Sequence, residues 1–229
     1  IAYGYVYLGL TTLVPSMALF ISSLVTLSFS LFKSNGEFFG FSDYDLIMSL
    51  PVTVRTVINS RFLNMYIWNT FISILVMLPM GIIYLIVEQP NLSVYLMWFA
   101  SIFLVSLLPT TLAAIFGAVV VAISAKFRYT SALTTILSIG LVVAVMLLFM
   151  TAPTTNFGFG ELVDSQTGNL DVAAFSSLAP FISDSLNQLY LPTNLFKEAI
   201  VYGEILSFLL FAVISIGVYL VFLRLLARK

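Results

Sequence analysis

With 229 residues, 61% of them hydrophobic and only 8% charged, the chain has more apolar surface than a soluble domain of this size can hide. A formal net charge of −1 offers no electrostatic basis for binding nucleic acid or an acidic partner. The absence of Cys and His excludes disulfides, thiol catalysis and the usual Cys/His metal clusters, and no cofactor is expected.

The chain opens Ile1-Ala2-Tyr3, without an initial Met or a basic leader, and its first apolar run outlasts a signal-peptide core. This reads as a fragment of a longer protein, a single transmembrane domain over residues 1–229. Stretches such as Leu137 to Met150 are apolar on every side, which does not fit the alternation of a membrane barrel. Helices are then the way to satisfy the backbone in lipid. The pattern predicts an all-α, polytopic bundle with about five spans: Tyr5 to Phe32, Phe62 to Val87, Leu92 to Ser124, Ser131 to Thr151 and Ile205 to Leu226. The first and third exceed what a bilayer needs and must tilt, kink or project, with Pro15 and Pro109 as natural kink points.

Basic residues orient the spans. Lys33, Arg55 and Arg61 place residues 33–61 in the cytoplasm, Lys126 and Arg128 do the same for 126–128, and Arg224, Arg228 and Lys229 for the C-terminus. The turn 88–91 has no basic residue, and 152–204 has only Lys197 among six acidic residues, Glu161, Asp164, Asp171, Asp184, Glu198 and Glu204. Both are expected outside. The assignments alternate through all five spans, so the fragment starts outside, and a subunit that starts inside has at least one further span upstream.

Between the first two spans, Ser42 suits an N-cap, and Asp43 and Asp45 fall in the first turn, where carboxylates favour the helix dipole. Leu50-Pro51 stops this helix after about two turns, because the residue before proline disfavours the α region. Leu46, Ile47 and Leu50 share one side of it. A second helix can start at Thr53 and merge into the next span past Arg61. Two readings follow: an interfacial connector with its apolar face in lipid headgroups, or a rigid docking element for a soluble partner.

Asp43-Tyr44-Asp45-Leu46-Ile47-Met48-Ser49-Leu50-Pro51-Val52, with Val57-Ile58 and Arg61 following, resembles the coupling-helix segment of type-2 ABC export permeases. Leu191-Pro192-Thr193-Asn194-Leu195-Phe196-Lys197-Glu198-Ala199-Ile200-Val201-Tyr202-Gly203 resembles the extracellular piece before the last span of such permeases. The resemblance implies a half-transporter with about six spans when complete, a short cytoplasmic coupling helix and a partly helical outer segment. It also implies that Asp43, Tyr44, Asp45, Leu46, Ile47, Leu50, Pro51 and Arg55 dock an ABC ATPase subunit, and that a second permease subunit, identical or not, completes the pathway in the cell membrane. Arg55 stands alone where the family often has several basic residues.

In the outer segment, Asp171 to Leu178 and Thr193 to Tyr202 are predicted as short helices separated by Pro180 and Pro192. Leu195, Phe196, Ala199 and Ile200 give the second an apolar face, and Asp171, Asp184 and Glu198 read as solvated charges. This segment is either a solvated cap or part of a substrate exit.

The chemistry of the spans is sparse. Every Asp, Glu, Lys and Arg falls in a loop or near a span end, which leaves no ion-coupling residue at the midplane. There is no phosphate-binding G-x-x-x-x-G-K-[ST] loop. A Ser–Lys dyad would have to use Lys33, Lys126, Lys197 or Lys229, all at membrane edges, so the chain is expected to be non-catalytic. Asn64, Asn69, Thr70, Ser73, Ser101, Ser106, Thr110, Thr111, Thr134, Thr135 and Ser138 are read as helix-packing contacts, and Tyr5, Tyr7, Tyr66, Trp68, Tyr95 and Trp98 as an interfacial aromatic belt. The functional expectation is a permease subunit moving an amphipathic or apolar cargo with energy from a separate ATPase. The competing class is a non-ATP channel or a membrane assembly or insertion factor.

Overall fold

The computed structural model describes residues 2–7, 10–34, 54–124 and 190–226, together with five positions between 136 and 147. Its elements are α1 (Ala2–Tyr7), α2 (Leu13–Ser34), α3 (Val54–Glu88), α4 (Leu92–Ser124), α5 (Leu191–Val201) and α6 (Ile205–Leu226). Among the described residues the chain is all-helical. Leu13–Lys33, Asn59–Glu88, Leu92–Gly117 and Ile205–Arg224 are each long and apolar enough to cross a membrane. Of the fourth predicted span, Ile136, Ile139, Gly140, Val143 and Leu147 are described; all are helical and exposed. The rest of that span lies outside the described residues, as does the predicted helix Asp171 to Leu178.

The first span does not run from Tyr5 to Phe32 as one helix. The α1 helix ends at Tyr7, and the chain enters α2 through a turn in which the Leu13 and Val14 amides donate to the Leu10 and Thr11 carbonyls, both at 3.1 Å. Pro15 therefore lies in the first turn of α2, where an amide has no helical acceptor to lose, and it opens this helix instead of kinking it. Among the described residues the helix-interior prolines are Pro109 in α4, as expected, and Pro79 in α3, which was not singled out from the sequence. The second helix of the first excursion does merge with the next span: α3 is continuous for 35 residues, roughly 50 Å against a hydrocarbon core of about 30 Å.

The turn after α3 is tight. Gln89 takes a positive φ of 44° and its amide donates to the Leu85 carbonyl at 3.2 Å, a left-handed closure of the helix end, and α4 begins three residues later.

The chain divides into two compact units. The first comprises Ile1–Ile21, Val76–Ala100 and Val145–Phe211, and the second Ser22–Leu75, Ser101–Ala144 and Ala212–Lys229. In the first unit, aromatic rings hold α5 in place. Tyr84 of α3 stacks on Trp98 of α4 at 5.6 Å between centroids, Trp98 meets Phe196 of α5 at 5.5 Å, and Phe196 meets Phe211 of α6 at 6.1 Å. Phe196, Ala199 and Ile200 are buried, so the apolar face predicted for this helix is seated on protein. Trp98 is 3% exposed, which removes it from the interfacial belt: its indole is a core side chain whose Nε1 donates to the Met77 carbonyl at 3.2 Å.

Glu198 is also not a freely solvated charge. Asn194 Nδ2 donates to its Oε1 at 3.1 Å, and Ser207 Oγ lies 3.1 Å from its Oε2 and 2.9 Å from Glu204 Oε2. One hydroxyl proton serves those two carboxylates in turn. Asp171 and Asp184 lie outside the described residues.

The α5–α6 connection ends α5 with the Tyr202 amide on the Glu198 carbonyl at 3.1 Å, followed by Gly203 at φ +70°. A Cβ at Gly203 would meet nothing within 4 Å, so Gly203→Ala pays only the left-handed backbone penalty. A loss of about 1 kcal/mol is expected, read as a fall of about 2–4 °C in thermal unfolding of the purified protein. An unchanged midpoint would show that the turn has another conformation.

Candidate functional site

Of the residues assigned to ATPase docking, Asp43, Tyr44, Asp45, Leu46, Ile47, Leu50 and Pro51 lie outside the described residues. Arg55 is placed in the first turn of α3. The described chain resumes at Val54, and α3 is anchored soon after its start. In the second unit, Tyr219 of α6 donates to Asn59 Oδ1 at 2.8 Å and stacks on Phe62 with centroids 4.7 Å apart. Phe62, Met65, Ala114 and Phe222 form a buried cluster, flanked by Tyr66, Leu107, Ile115 and Tyr219. The early turns of α3 are thus tied to α4 and α6 by apolar packing, aromatic stacking and a hydrogen bond.

Beyond this cluster the packing of the second unit becomes polar. Ser22, Thr26 and Ser30 recur every four residues along α2, and all three are fully buried. Asn69 and Ser73 lie one turn apart on α3, and Ser106 and Thr110 one turn apart on α4, again without exposed surface. Ser22 Oγ and Ser73 Oγ are 2.9 Å apart, as are Thr70 Oγ1 and Ser106 Oγ. Asn69 Nδ2 donates to Ser30 Oγ at 2.5 Å and to Thr110 Oγ1 at 2.7 Å, so one side chain of α3 joins both neighbours.

Several of these hydroxyls also donate back to the helix. Thr26 reaches the Ser22 carbonyl at 2.7 Å, and Thr110 the Ser106 carbonyl at 2.5 Å. In lipid, where apolar contact between helices gains little over contact with acyl chains, small side chains and interhelical hydrogen bonds of this kind hold helices together.

The packing reading of Asn69, Thr70, Ser73, Ser101, Ser106, Thr110 and Thr111 agrees with their burial, whereas Asn64 is exposed and Thr134, Thr135 and Ser138 are not described. Sequence reasoning missed the α2 half of the seam. The signal was present as Ser22, Thr26 and Ser30 at i, i+4 and i+8.

Trp68 is 51% exposed, and the Lys33 ammonium lies 5.4 Å from its ring centroid. Tyr7 is likewise exposed, while Tyr66 and Tyr95 use their hydroxyls on the carbonyls of Phe103 at 3.0 Å and Leu85 at 3.2 Å.

These four long apolar helices define the class: a multi-pass helical membrane protein. No family model matches the chain, and no curated protein or solved structure is significantly similar to it.

Proposed function

We propose that this chain is the membrane-spanning permease subunit of an ATP-driven exporter, moving an amphipathic or apolar cargo with energy from a separate ATPase subunit. The observation that carries this reading is the segment Asp43 to Val52, an acid-started, proline-stopped helical sequence resembling the coupling helix of type-2 ABC export permeases. The continuity of α3 from Val54 supports it, because from there onward a push is carried into a span by one unbroken helix. In this reading residues 33–61, 126–128 and the C-terminus face the cytoplasm, 88–91 and 152–204 face outward, and a second permease subunit pairs with this one in the cell membrane.

The test is co-purification. The full-length subunit, extracted in mild detergent, should bring down an ABC ATPase and should hydrolyse ATP only with it. Hydrolysis by the isolated subunit, or a partner set that contains no ATPase, would overturn the proposal. Sidedness is checked separately, since the chain has no cysteine to interfere with labelling. A Cys placed at Gly160 should react with an impermeant maleimide on intact cells, and reaction only after permeabilisation would reverse the orientation.

A further inference from the structure

The orientation of the Asn69 amide is set by its neighbours. Thr110 has one hydroxyl proton, donated to the Ser106 carbonyl at 2.5 Å. Toward Asn69, Thr110 Oγ1 can therefore only accept, which turns the amide nitrogen to it at 2.7 Å. The same nitrogen uses its other proton on Ser30 Oγ at 2.5 Å. Among the described residues Asn69 Oδ1 is left as an acceptor without a donor, in a side chain with no exposed surface.

An amide oxygen stripped of water and given nothing in return destabilises a fold, so native structures almost always supply a donor. The described surroundings are polar and uncharged. Asn69 and Ser73 share a face of α3, and the Ser30–Asn69 and Ser22–Ser73 contacts press it against the face of α2 that carries Ser22, Thr26 and Ser30. Every one of these groups is neutral; Thr26 uses its proton on the Ser22 carbonyl, while Ser30 Oγ, which accepts from Asn69, has a proton of its own to donate. In the Ser22–Ser73 pair one hydroxyl donates to the other, and the accepting one keeps its own proton. Neutral oxygens in this arrangement suit a small neutral molecule that donates and accepts at once; an ion would find no counter-charge among them.

We propose that Asn69 Oδ1 is the anchoring acceptor of a buried water-binding site in the α2–α3–α4 seam of the second unit. Water bound there donates to Oδ1 and takes up hydroxyl protons of the seam, which places a hydrated point within the membrane-spanning helices.

The test is a structure of the full-length protein at a resolution that shows ordered water elsewhere, together with Asn69→Leu, which keeps the side-chain size and removes the amide. The expected result is a compact density peak about 2.7–3.1 Å from Oδ1. Asn69→Leu should lower the unfolding midpoint by more than about 5 °C, because it removes the water's bond along with the two bonds from Nδ2. No peak beside Oδ1, or an elongated one that marks the hydroxyl end of a lipid or detergent, overturns the assignment. So does a Leu variant as stable as the parent, since relief of a dry, unpaired oxygen would then offset the lost bonds. Should that variant fail to fold, the density in the parent protein decides.

Discussion

Gly81→Ala is expected to be one of the most damaging single substitutions available to this chain. Gly81 is buried on α3, and a Cβ built there would lie 2.5 Å from Trp98 Cε2 and 2.9 Å from Cδ1, closer than real carbon contacts allow. A flexible side chain would swing away, but the indole cannot. Its ring stacks on Tyr84 at 5.6 Å and meets Phe196 at 5.5 Å, and its Nε1 is committed to the Met77 carbonyl at 3.2 Å.

The added methyl must therefore displace Trp98, and with it the support for Phe196 and α5. Overpacking of this kind costs about 3 kcal/mol, with the lost hydrogen bond adding about 1. Thermal unfolding in detergent should fall by several degrees. Gly81→Ala combined with Trp98→Phe should recover part of the loss, because the smaller ring makes room for the methyl while filling most of the space. If Gly81→Ala unfolds with the parent, the close approach of α3 to Trp98 is wrong.

The second large effect is functional. Replacing Leu46 and Leu50 together by Asp is expected to abolish capture of the ATPase, with apparent affinity falling by about a hundredfold or more. Two carboxylates would enter a contact that, as a coupling helix, buries its apolar side, and an unpaired buried charge costs a few kcal/mol. The spans are untouched, so extraction and unfolding should match the parent. Pro51→Ala should behave differently. It removes the stop between the two helices of the excursion without removing any docking contact, so ATPase binding persists while its stimulation by transport falls. A double-Asp variant that binds its ATPase like the parent would mean that the segment is a lipid-facing connector.

What the sequence made legible follows from how local each signal is. Long apolar runs mark helices without reference to any partner, and α3, α4 and α6 lie close to where the runs place them. The α5 helix was anticipated as Thr193 to Tyr202 and spans Leu191–Val201: treating Pro192 as a separator set the start too late, whereas a proline in a first turn belongs to the helix it opens. The same ambiguity turned Pro15 from an apparent kink into a helix start. Trp98 was misread because belt and core tryptophans look alike in sequence, and only the small residue facing it on another helix, Gly81, tells them apart. Asn69 could be seen to lie in a span; that it bonds to both Ser30 and Thr110 is a fact about three helices at once. The docking set rests on a run of ten residues, Asp43 to Val52, and lies outside the described residues except for Arg55 of the helix that follows.

The seam in the second unit has a mechanical consequence. Its hydroxyls recur at four-residue intervals, Ser22, Thr26 and Ser30 on α2 and Ser106 and Thr110 on α4, against Asn69, Thr70 and Ser73 of α3. Such a contact is a ladder whose rungs repeat every four residues, about 6 Å along each helix. Hydrogen bonds of this kind depend on which small polar groups meet, not on one shape fitting another. The Phe62–Tyr219–Phe222 cluster has no such periodicity, since each ring fits one place, and a helix sliding there would lose its stacking outright. One unit thus joins two kinds of helix contact, a shape-fitted aromatic clamp and a repeating polar seam.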